Sequence, residues 1–475
     1  MTKLQTHNFP LPFLIYGEKP RAERLCSEAL SLGIKPISII LNAPEGAPDY
    51  CGVPALPQKA LLPYAETGGV VIVPAFSWHG AAENDLRALD ERLPALAMRE
   101  IEFFARLAMA AETVDPPAAQ TPWAGTLIGT QLGFVLGGVE AWAADLYKQL
   151  KAAGTPVQAV EALQESRYQY VGPAFYGIDP ADVIPVGQYE RYSDYVLEML
   201  AVLAKAPPKV YVDNGSYRLM AAVWLAKKKL GLPIKVISVL HGDAGIIYDR
   251  LRLFDEIIDQ IVAVSEIPAA RAAELLPHRA ADISVKLNIP APAAAIPQFD
   301  GNGPLKLAYA ARLEPANKRS LWLTEMMDGL LERGVDFTLD IAGDGDCRQA
   351  LAEYIERKGL SERVRLLGTL PREEMAAFWA AREVYLNFSK TEGGPLTLLE
   401  AMGIGLAPVA TDAGCGKRLF RDGENSMVIS SPEEAACAVA KLAADRGLLE
   451  KIRRSAHQTL QHFYQTEGPL AAAFR

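Results

Sequence analysis

The sequence has few cysteines, and the five among its 475 residues are scattered and odd in number. None of them forms a Cys-x-x-Cys pair, which excludes a disulfide scaffold and gives no support to a zinc ribbon or a thioredoxin-like site. No apolar run approaches the ~18–20 residues that a membrane-spanning helix needs. The first residues, beginning Met1-Thr2-Lys3, lack the apolar segment of a signal peptide. These absences predict a reducing, cytoplasmic compartment.

Positive charge is also scarce, because the formal net charge is −9 and the pI is about 5.4. A general nucleic-acid binder relies on basic residues that neutralise phosphates, so this class is not expected. The one lysine run, Lys227-Lys228-Lys229, is typical of a solvated helix end, and peripheral contact with the inner face of a membrane stays open as the alternative. Half of the residues are hydrophobic and 22% are charged, which predicts a globular chain with substantial cores.

What the sequence has is a repeated order of apolar run, glycine-containing turn and amphipathic helix, which predicts an α/β protein with parallel sheets. The pattern occurs in three blocks, residues 1–115, 123–295 and 304–445. Proline-rich stretches at 114–122 and 290–303 are the predicted linkers between these blocks. The remaining residues, 446–475, are predicted to form a C-terminal helix.

The most informative stretch, residues 389–403, follows a predicted strand and opens a helix. It contains two glutamates eight residues apart, Glu392 in the loop and Glu400 about two turns into the helix. Because eight residues is close to two helical turns, both carboxylates are expected on one side. The Gly393-Gly394-Pro395 segment between them exposes backbone N–H groups at a helix N-terminus, which suits a diphosphate or sugar hydroxyls.

This stretch resembles the E-x7-E motif of retaining glycosyltransferases with the GT-B fold, the family 4 type. Further motifs of the family follow in order in block three, around Arg312, Gly343 and Leu367 and in the segment 410–426. The resemblance extends more thinly into block two, at Gly137-Gly138 and at His241. It implies two Rossmann-like domains with a cleft between them, 123–295 for the acceptor and 304–445 for the nucleotide-sugar donor.

The resemblance also implies the roles of site residues. The implied catalytic residues are His241, Glu392, Arg312 and Lys318, where the two cations hold the donor diphosphate and Glu392 contacts the transferred sugar. The implied donor-binding residues are Gly137, Gly138, Gly343, Leu367, Gly393, Gly394, Pro395, Leu396 and Glu400, with Glu400 on the ribose and Leu367 at the base. For Arg312 and Lys318 the alternative is a surface ion pair with Glu314.

The implied reaction is that of a hexosyltransferase-type enzyme. It moves a sugar from a nucleotide sugar to a glycan, lipid-linked or protein acceptor with retention of configuration. No metal and no cofactor are expected, since family members usually need none. The sequence departs from the family after Thr411-Asp412, where Lys417 and Arg418 stand near the place of a usual glutamate. Either cation is a candidate to face phosphate instead.

Block one, residues 1–115, is predicted to be a small additional Rossmann-like domain. It weakly resembles the N-terminal domain of some sugar acyltransferases through Gly17 and the Gly52-Val53-Pro54 turn. Because the other glycines of a dinucleotide fingerprint are missing after Gly17, nucleotide binding is not favoured there. A structural role, self-association or docking of a protein partner is expected instead. The segment 446–475 is expected to cross back to the acceptor domain, as in other GT-B proteins.

Two alternative functions remain compatible with the sequence. One is another enzyme on the same fold, such as a nucleotide-sugar epimerase, which would isomerise the donor without transfer. The other is a non-catalytic scaffold that binds nucleotide sugars through the same motifs and recruits partners through residues 1–115.

Overall fold

The computed structural model describes residues 12–42, 49–67, 70–75, 79–109, 122–130, 133–162, 169–186, 191–299, 301–413 and 416–474. Most of the predicted linker 114–122 lies outside these residues, as does Cys415. The strands of the described residues form three separate sheets, and every strand pair in them is parallel. Their strands are apolar and largely buried, as expected when helices cover both faces of a parallel sheet.

The first sheet lies in block one. Its elements are β1 (Phe13–Gly17), α1 (Lys19–Ser31), β2 (Ile39–Leu41), β3 (Ala55–Pro57), α2 (Leu62–Thr67), β4 (Val71–Ala75), α3 (His79–Leu89) and α4 (Glu100–Met109). The strand order is β3-β2-β1-β4.

The second sheet lies in block two and has seven strands. Its elements are β5 (Trp123–Gly129), α5 (Gly138–Ala152), β6 (Val157–Ala162), β7 (Val183–Val186), α6 (Tyr192–Lys205), β8 (Pro208–Asp213), α7 (Tyr217–Lys228), β9 (Lys235–Leu240), α8 (Gly245–Phe254), β10 (Gln260–Ala263), α9 (Glu266–Leu275) and β11 (Ile283–Val285). The strand order is β11-β10-β9-β8-β5-β6-β7. The lysines at the end of α7 contact carboxylates, Lys227 with Asp259 and Lys228 with Glu256, as a solvated helix end does.

The third sheet lies in block three and has six strands. Its elements are β12 (Leu305–Ala310), α10 (Trp322–Glu332), β13 (Phe337–Ala342), α11 (Arg348–Arg357), β14 (Val364–Gly368), α12 (Arg372–Ala380), β15 (Val384–Asn387), α13 (Leu396–Ile404), β16 (Ala407–Thr411), α14 (Gly416–Leu419), β17 (Met427–Ile429) and α15 (Pro432–Ala444). The strand order is β14-β13-β12-β15-β16-β17. Helix α13 ends where Gly405 adopts φ 90°, a left-handed conformation that favours glycine.

The C-terminal segment consists of α16 (Arg446–Glu467) and a short 3₁₀ helix at Leu470–Phe474. Helix α16 packs on α13 and β16 of the third sheet, and the carbonyl of its last residue, Glu467, accepts from Lys286 of block two. The crossing is made by the last turn, which packs on α5 and buries Phe474 against Trp142 with ring centroids 5.5 Å apart.

Block one shares a hydrophobic core with block two. Phe103 and Phe104 of α4 lie in one buried cluster with residues of α6 and α7. Glu28 of α1 accepts the backbone N–H of Ser193 at 2.9 Å, so a carboxylate of block one caps the first turn of α6. Burial raises the pKa of Glu28 to about 7. One face of block one is therefore occupied by the rest of the chain.

Candidate active site

A cleft of about 680 Å³ lies between the carboxyl ends of the strands of the second and third sheets. This is the edge of a doubly wound sheet where ligands usually bind. Of the predicted site residues, twelve line the cleft: Gly137, Gly138, His241, Arg312, Lys318, Gly343, Glu392, Gly393, Gly394, Pro395, Leu396 and Glu400. Leu367 is the one predicted site residue that does not line the cleft. Thr369 and Leu370, which follow it in the chain, do line it. The structure thus brings residues from two blocks into one site.

On the block-two side, the loop before α5 is held in place by Tyr176. The backbone N–H of Gly137 donates to the Tyr176 hydroxyl at 2.9 Å, and that hydroxyl donates to the Val135 carbonyl at 2.8 Å. Glu140 in the first turn of α5 is buried, and desolvation raises its pKa to about 7. The space beside the Gly138 Cα is open, so a ligand has room to approach the start of the helix there.

His241 follows β9 and is enclosed by polar and aromatic groups. Its Nε2 lies 2.8 Å from the Asn214 Oδ1, and its ring meets Trp142 edge-on with centroids 4.9 Å apart. Burial, together with the charge of Arg250, lowers the pKa of His241 to about 3. The imidazole is therefore neutral over the whole physiological pH range, and it is too weak a base to remove a proton efficiently.

On the block-three side, the loop after β12 is fastened to the loop after β15. Glu314 accepts the backbone N–H groups of Asn317 at 3.2 Å and of Lys318 at 2.7 Å, so it shapes the loop. Asn317 Oδ1 accepts from both the N–H and the hydroxyl of Thr391, at 2.9 and 2.8 Å. Lys318 forms its ion pair with Glu392, not with Glu314. One predicted cation and one predicted carboxylate thus meet directly in the cleft.

Helix α13 begins later than the sequence indicated. Its first residue is Leu396, so Glu400 lies just over one turn into the helix rather than two. Glu400 nevertheless lines the cleft, and so does Glu392 in the loop before Leu396. The two carboxylates are therefore on the same side, as expected. The Glu400 carboxylate lies 3.2 Å from Arg372 and accepts from the Trp379 indole at 3.4 Å. Desolvation raises its pKa, and the Arg372 charge opposes that shift.

Arg372 joins the two sides of the cleft. Its guanidinium contacts both oxygens of Asp145 on α5 at 2.8 Å and also pairs with Glu400 on α13. Asp145 in turn accepts from the Asn288 amide at 2.8 Å. Arg372, Asp145 and Asn214 were not predicted from the sequence as site residues. Asn214 could have been predicted, because it is a polar residue directly after a strand, in Asp213-Asn214-Gly215, and the carboxyl ends of parallel strands meet at one edge.

Two glycines of the cleft permit close backbone approach. Gly343 has φ 127°, and a Cβ there would lie 1.9 Å from the Ala311 carbonyl oxygen. Its N–H donates to the Gly368 carbonyl at 2.7 Å, so Gly343 shapes the cleft wall. A Cβ on Gly393 would lie 1.9 Å from the His241 carbonyl oxygen, which brings block three into backbone contact with block two.

Arg418 does not face the position expected for phosphate. Its guanidinium pairs with Glu266 at the start of α9 at 2.8 Å, and it also pairs with Glu467 at the end of α16. It packs over the Phe463 ring, with 4.9 Å from its guanidinium carbon to the ring centroid. Arg418 is therefore a further contact between the two sides of the cleft. The side chain of Lys417 lies outside the described residues.

Residues 304–445 match the family described as Glycosyl transferases group 1. Over 135 residues the chain is 32% identical to the UDP-N-acetylglucosamine–peptide N-acetylglucosaminyltransferase GtfA subunit of Streptococcus pneumoniae, covering 28% of this chain and 26% of that protein. Over 197 residues it is 30% identical to the phosphatidyl-myo-inositol mannosyltransferase of Mycobacterium leprae, covering 41% of this chain and 51% of that protein. The chain thus spans between a quarter and about half of the length of these relatives.

Solved structures match about three quarters of the chain. Anabaena Alr3699/HepE in complex with UDP-glucose superposes with a TM-score of 0.60 at 17% identity, covering 74% of this chain and 99% of that one. This likeness confirms the predicted GT-B fold. Among the described residues no helix has the length and apolarity needed to cross a membrane. The same residues contain no cluster of three or more His, Cys, Asp or Glu side chains suited to a metal ion.

Proposed function

We propose that this protein is a retaining glycosyltransferase of the family 4 type that transfers a hexose-type sugar from a nucleotide sugar to an acceptor hydroxyl. One observation carries the proposal: Arg312, Lys318 and Glu392 line one cleft together with the N-terminus of α13. A diphosphate needs fixed positive charge and N–H donors, and both are present there. A cleft of about 680 Å³ also suits a ligand of nucleotide-sugar size.

In this proposal the donor lies along the block-three side of the cleft. Lys318 and Arg312 bind the diphosphate and stabilise the charge that develops on it as the glycosidic bond breaks. Backbone groups from Gly393 to Leu396 hold sugar hydroxyls and phosphate oxygens. Glu400 accepts from the ribose hydroxyls, and its pairing with Arg372 offsets the cost of a buried carboxylate near the diphosphate.

The neutral state of His241 supports retention. Its pKa of about 3 makes it a poor general base, so the acceptor proton needs another destination. We infer that the leaving phosphate oxygen takes this proton. The acceptor oxygen then bonds to the anomeric carbon on the face from which the phosphate departs. An inverting enzyme would instead need a base on the acceptor side, where the cleft is lined by Asp243, whose carboxylate accepts from the Tyr248 hydroxyl at 2.6 Å.

No metal is needed in the proposed reaction, because Lys318 and Arg312 supply the positive charge that a metal would give to the diphosphate. The names of the relatives favour a UDP-sugar donor and a lipid-linked or protein acceptor, and the family resemblance keeps a glycan acceptor as a further proposal. One relative is named for transfer from UDP-N-acetylglucosamine to peptide, and another for transfer to phosphatidyl-myo-inositol. The proposed compartment is the cytoplasm, where nucleotide sugars are supplied to such enzymes.

The test is a thermal-shift screen against a panel of UDP-sugars, followed by assays of donor hydrolysis and transfer with EDTA present. We expect at least one donor to raise the Tm and to be turned over without metal. Glu392→Gln is expected to reduce turnover strongly. Its matched control is Glu374→Gln on the exposed face of α12, which should behave as wild type.

Three results would contradict the proposal. No shift with any donor would mean that the cleft does not bind nucleotide sugars. Isomerisation of the donor without transfer would indicate an epimerase. Binding with neither transfer nor hydrolysis would indicate a scaffold protein.

A further inference from the structure

The hydrogen bond between His241 and Asn214 specifies which ring nitrogen carries the proton. Asn214 follows β8 and is buried. Its Nδ2 donates to the Gly129 carbonyl at the end of β5, with a separation of 2.9 Å. A carbonyl only accepts, so this contact fixes the amide orientation and leaves Oδ1 toward the imidazole. Oδ1 also only accepts, and it lies 2.8 Å from Nε2. The proton of His241 is therefore on Nε2.

The other nitrogen of the ring is left as an acceptor. In the neutral imidazole, Nδ1 carries a lone pair when Nε2 carries the proton. The hydrogen bonds of His241 to described residues involve Nε2 alone, and the residue lines the cleft. Trp142 fixes the ring plane from one side. Nδ1 of His241 is therefore the ring nitrogen that remains to accept a hydrogen bond from a ligand in the cleft.

A buried polar cluster beneath the ring keeps it uncharged. Arg250 on α8 pairs with Asp213 at 3.1 Å, and both side chains are almost fully buried. Asp213 also accepts from the Ser238 hydroxyl at 2.8 Å and from the Gly215 N–H at 2.9 Å. The Arg250 charge opposes a second positive charge on the imidazole, and burial acts in the same direction. The charged residues that line the same cleft are Asp243, Arg312, Lys318, Arg372, Lys390, Glu392, Glu400 and Asp412, and Lys318 is paired with Glu392.

We propose that Asn214 is a positioning residue that fixes the Nε2–H tautomer of His241, so that Nδ1 accepts a hydrogen bond from a hydroxyl of the donor sugar. The sugar part rests on the proposed function, whereas the tautomer part does not. The arrangement selects for a sugar with a hydroxyl at the position that meets Nδ1. A deoxy or fluoro analogue at that position has no proton to donate, and an imidazolium would present a second N–H instead of a lone pair.

The first test reads the tautomer directly by long-range ¹⁵N–¹H NMR on the full chain labelled with ¹⁵N-histidine. The expected spectrum shows His241, assigned with His241→Gln, as a neutral ring protonated on Nε2 at pH 7. His457 is an internal reference of the opposite kind, because its Nδ1 lies 2.8 Å from the Gly403 carbonyl and must carry the proton. A His241 ring protonated on Nδ1, or an imidazolium at pH 7, would overturn the inference.

The second test changes the partner of His241. In Asn214→Asp a carboxylate lies beside Nε2 and raises the pKa of His241 by roughly 1–3. The NMR titration should therefore move to higher pH than in wild type. The kcat/KM for the best donor should fall toward pH 5, whereas the wild-type profile stays flat through the same range. Asn214→Leu removes the acceptor, and we expect its kcat/KM to fall about tenfold to a hundredfold. Wild-type spectra and pH profiles in Asn214→Asp would contradict the assignment.

The two tests separate this inference from the proposed function. The expected tautomer with no transfer from any donor supports the role of Asn214 and contradicts the proposed function. Transfer activity with His241 protonated on Nδ1 supports the proposed function and contradicts the role of Asn214. If the Asn214 variants fail to fold, the wild-type spectrum still decides which tautomer is present.

Discussion

The contact between Gly393 and His241 predicts that one added methyl group will hold the cleft open. A Cβ built on Gly393 lies 1.9 Å from the His241 carbonyl oxygen and 2.7 Å from the carbonyl carbon. Carbon and oxygen atoms that are not bonded approach only to about 3.3 Å, so the two sides of the cleft must separate by more than ~1 Å. Both atoms that meet the methyl group are backbone, which means that no side-chain rotation relieves the contact.

Overpacking of this kind costs about 1–3 kcal/mol. The cost falls on the contact between the two sides of the cleft, because the hydrophobic clusters beside the second and third sheets are separate. We therefore expect Gly393→Ala to keep a Tm near that of wild type while its donor affinity and kcat/KM fall by about tenfold to a hundredfold. Calorimetric titration with the best donor and steady-state kinetics measure the two losses.

The neighbouring glycine is the matched control. A Cβ on Gly394 would lie 3.6 Å from Val264, which is an ordinary van der Waals contact. Gly394→Ala keeps the backbone groups that are proposed to hold the donor and adds only this ordinary contact. It is therefore expected to bind and turn over the donor within about threefold of wild type. Equal behaviour of the two variants, or a loss confined to Gly394→Ala, would refute the reasoning from the backbone contact.

Three further predictions concern other parts of the chain. Lys318→Met should lower kcat about a hundredfold or more, since it removes charge from the diphosphate position. A wild-type kcat would show that the donor site is misplaced. Phe474→Ala should lower the free energy of unfolding by up to about 3–5 kcal/mol in urea denaturation and also lower kcat/KM through Trp142, and an unchanged kcat/KM would separate the last turn from the site. The raised pKa of Glu28, about 7 against an ordinary 4.5, means that the folded state holds a proton that the unfolded state releases, so stability falls as pH rises between these values. Glu28→Gln should match the free energy of unfolding of wild type at pH 4.5 and exceed it by up to about 3 kcal/mol at pH 8. Urea curves of the two proteins that coincide at pH 8 would contradict this.

The sheets and the convergence of the site follow from local sequence. Alternating apolar runs and amphipathic helices predict parallel strands, and the carboxyl ends of such strands share one edge. That rule is enough to bring Arg312 and Glu392 to one edge of the third sheet, whereas the place of His241 opposite them followed from the resemblance to GT-B glycosyltransferases. The helix start was predicted less well, because Pro395 delays α13 and the sequence pattern gives boundaries only approximately.

Contacts between blocks were not predictable from local pattern. Arg372 and Asp145 are 227 residues apart, and Arg418 and Glu266 are 152 residues apart. Their pairing depends on how the two sheets are oriented, and hydrophobic periodicity does not encode that orientation. The contact of Glu28 was not predictable for the same reason, because its partner Ser193 is 165 residues away. Block one and block two share a continuous core there.

The central claim is that the cleft transfers a sugar with retention, and the anomer released by donor hydrolysis tests it most directly. A UDP-sugar with an α-linked hexose, identified in the thermal-shift screen, is incubated with the protein and EDTA, and ¹H NMR records the free sugar before it mutarotates. The account predicts that the α-anomer forms first, in wild type and in Asp243→Asn alike. Initial release of the β-anomer by wild type would show an inverting enzyme and would contradict the account. Loss of that release in Asp243→Asn would identify Asp243 as the base.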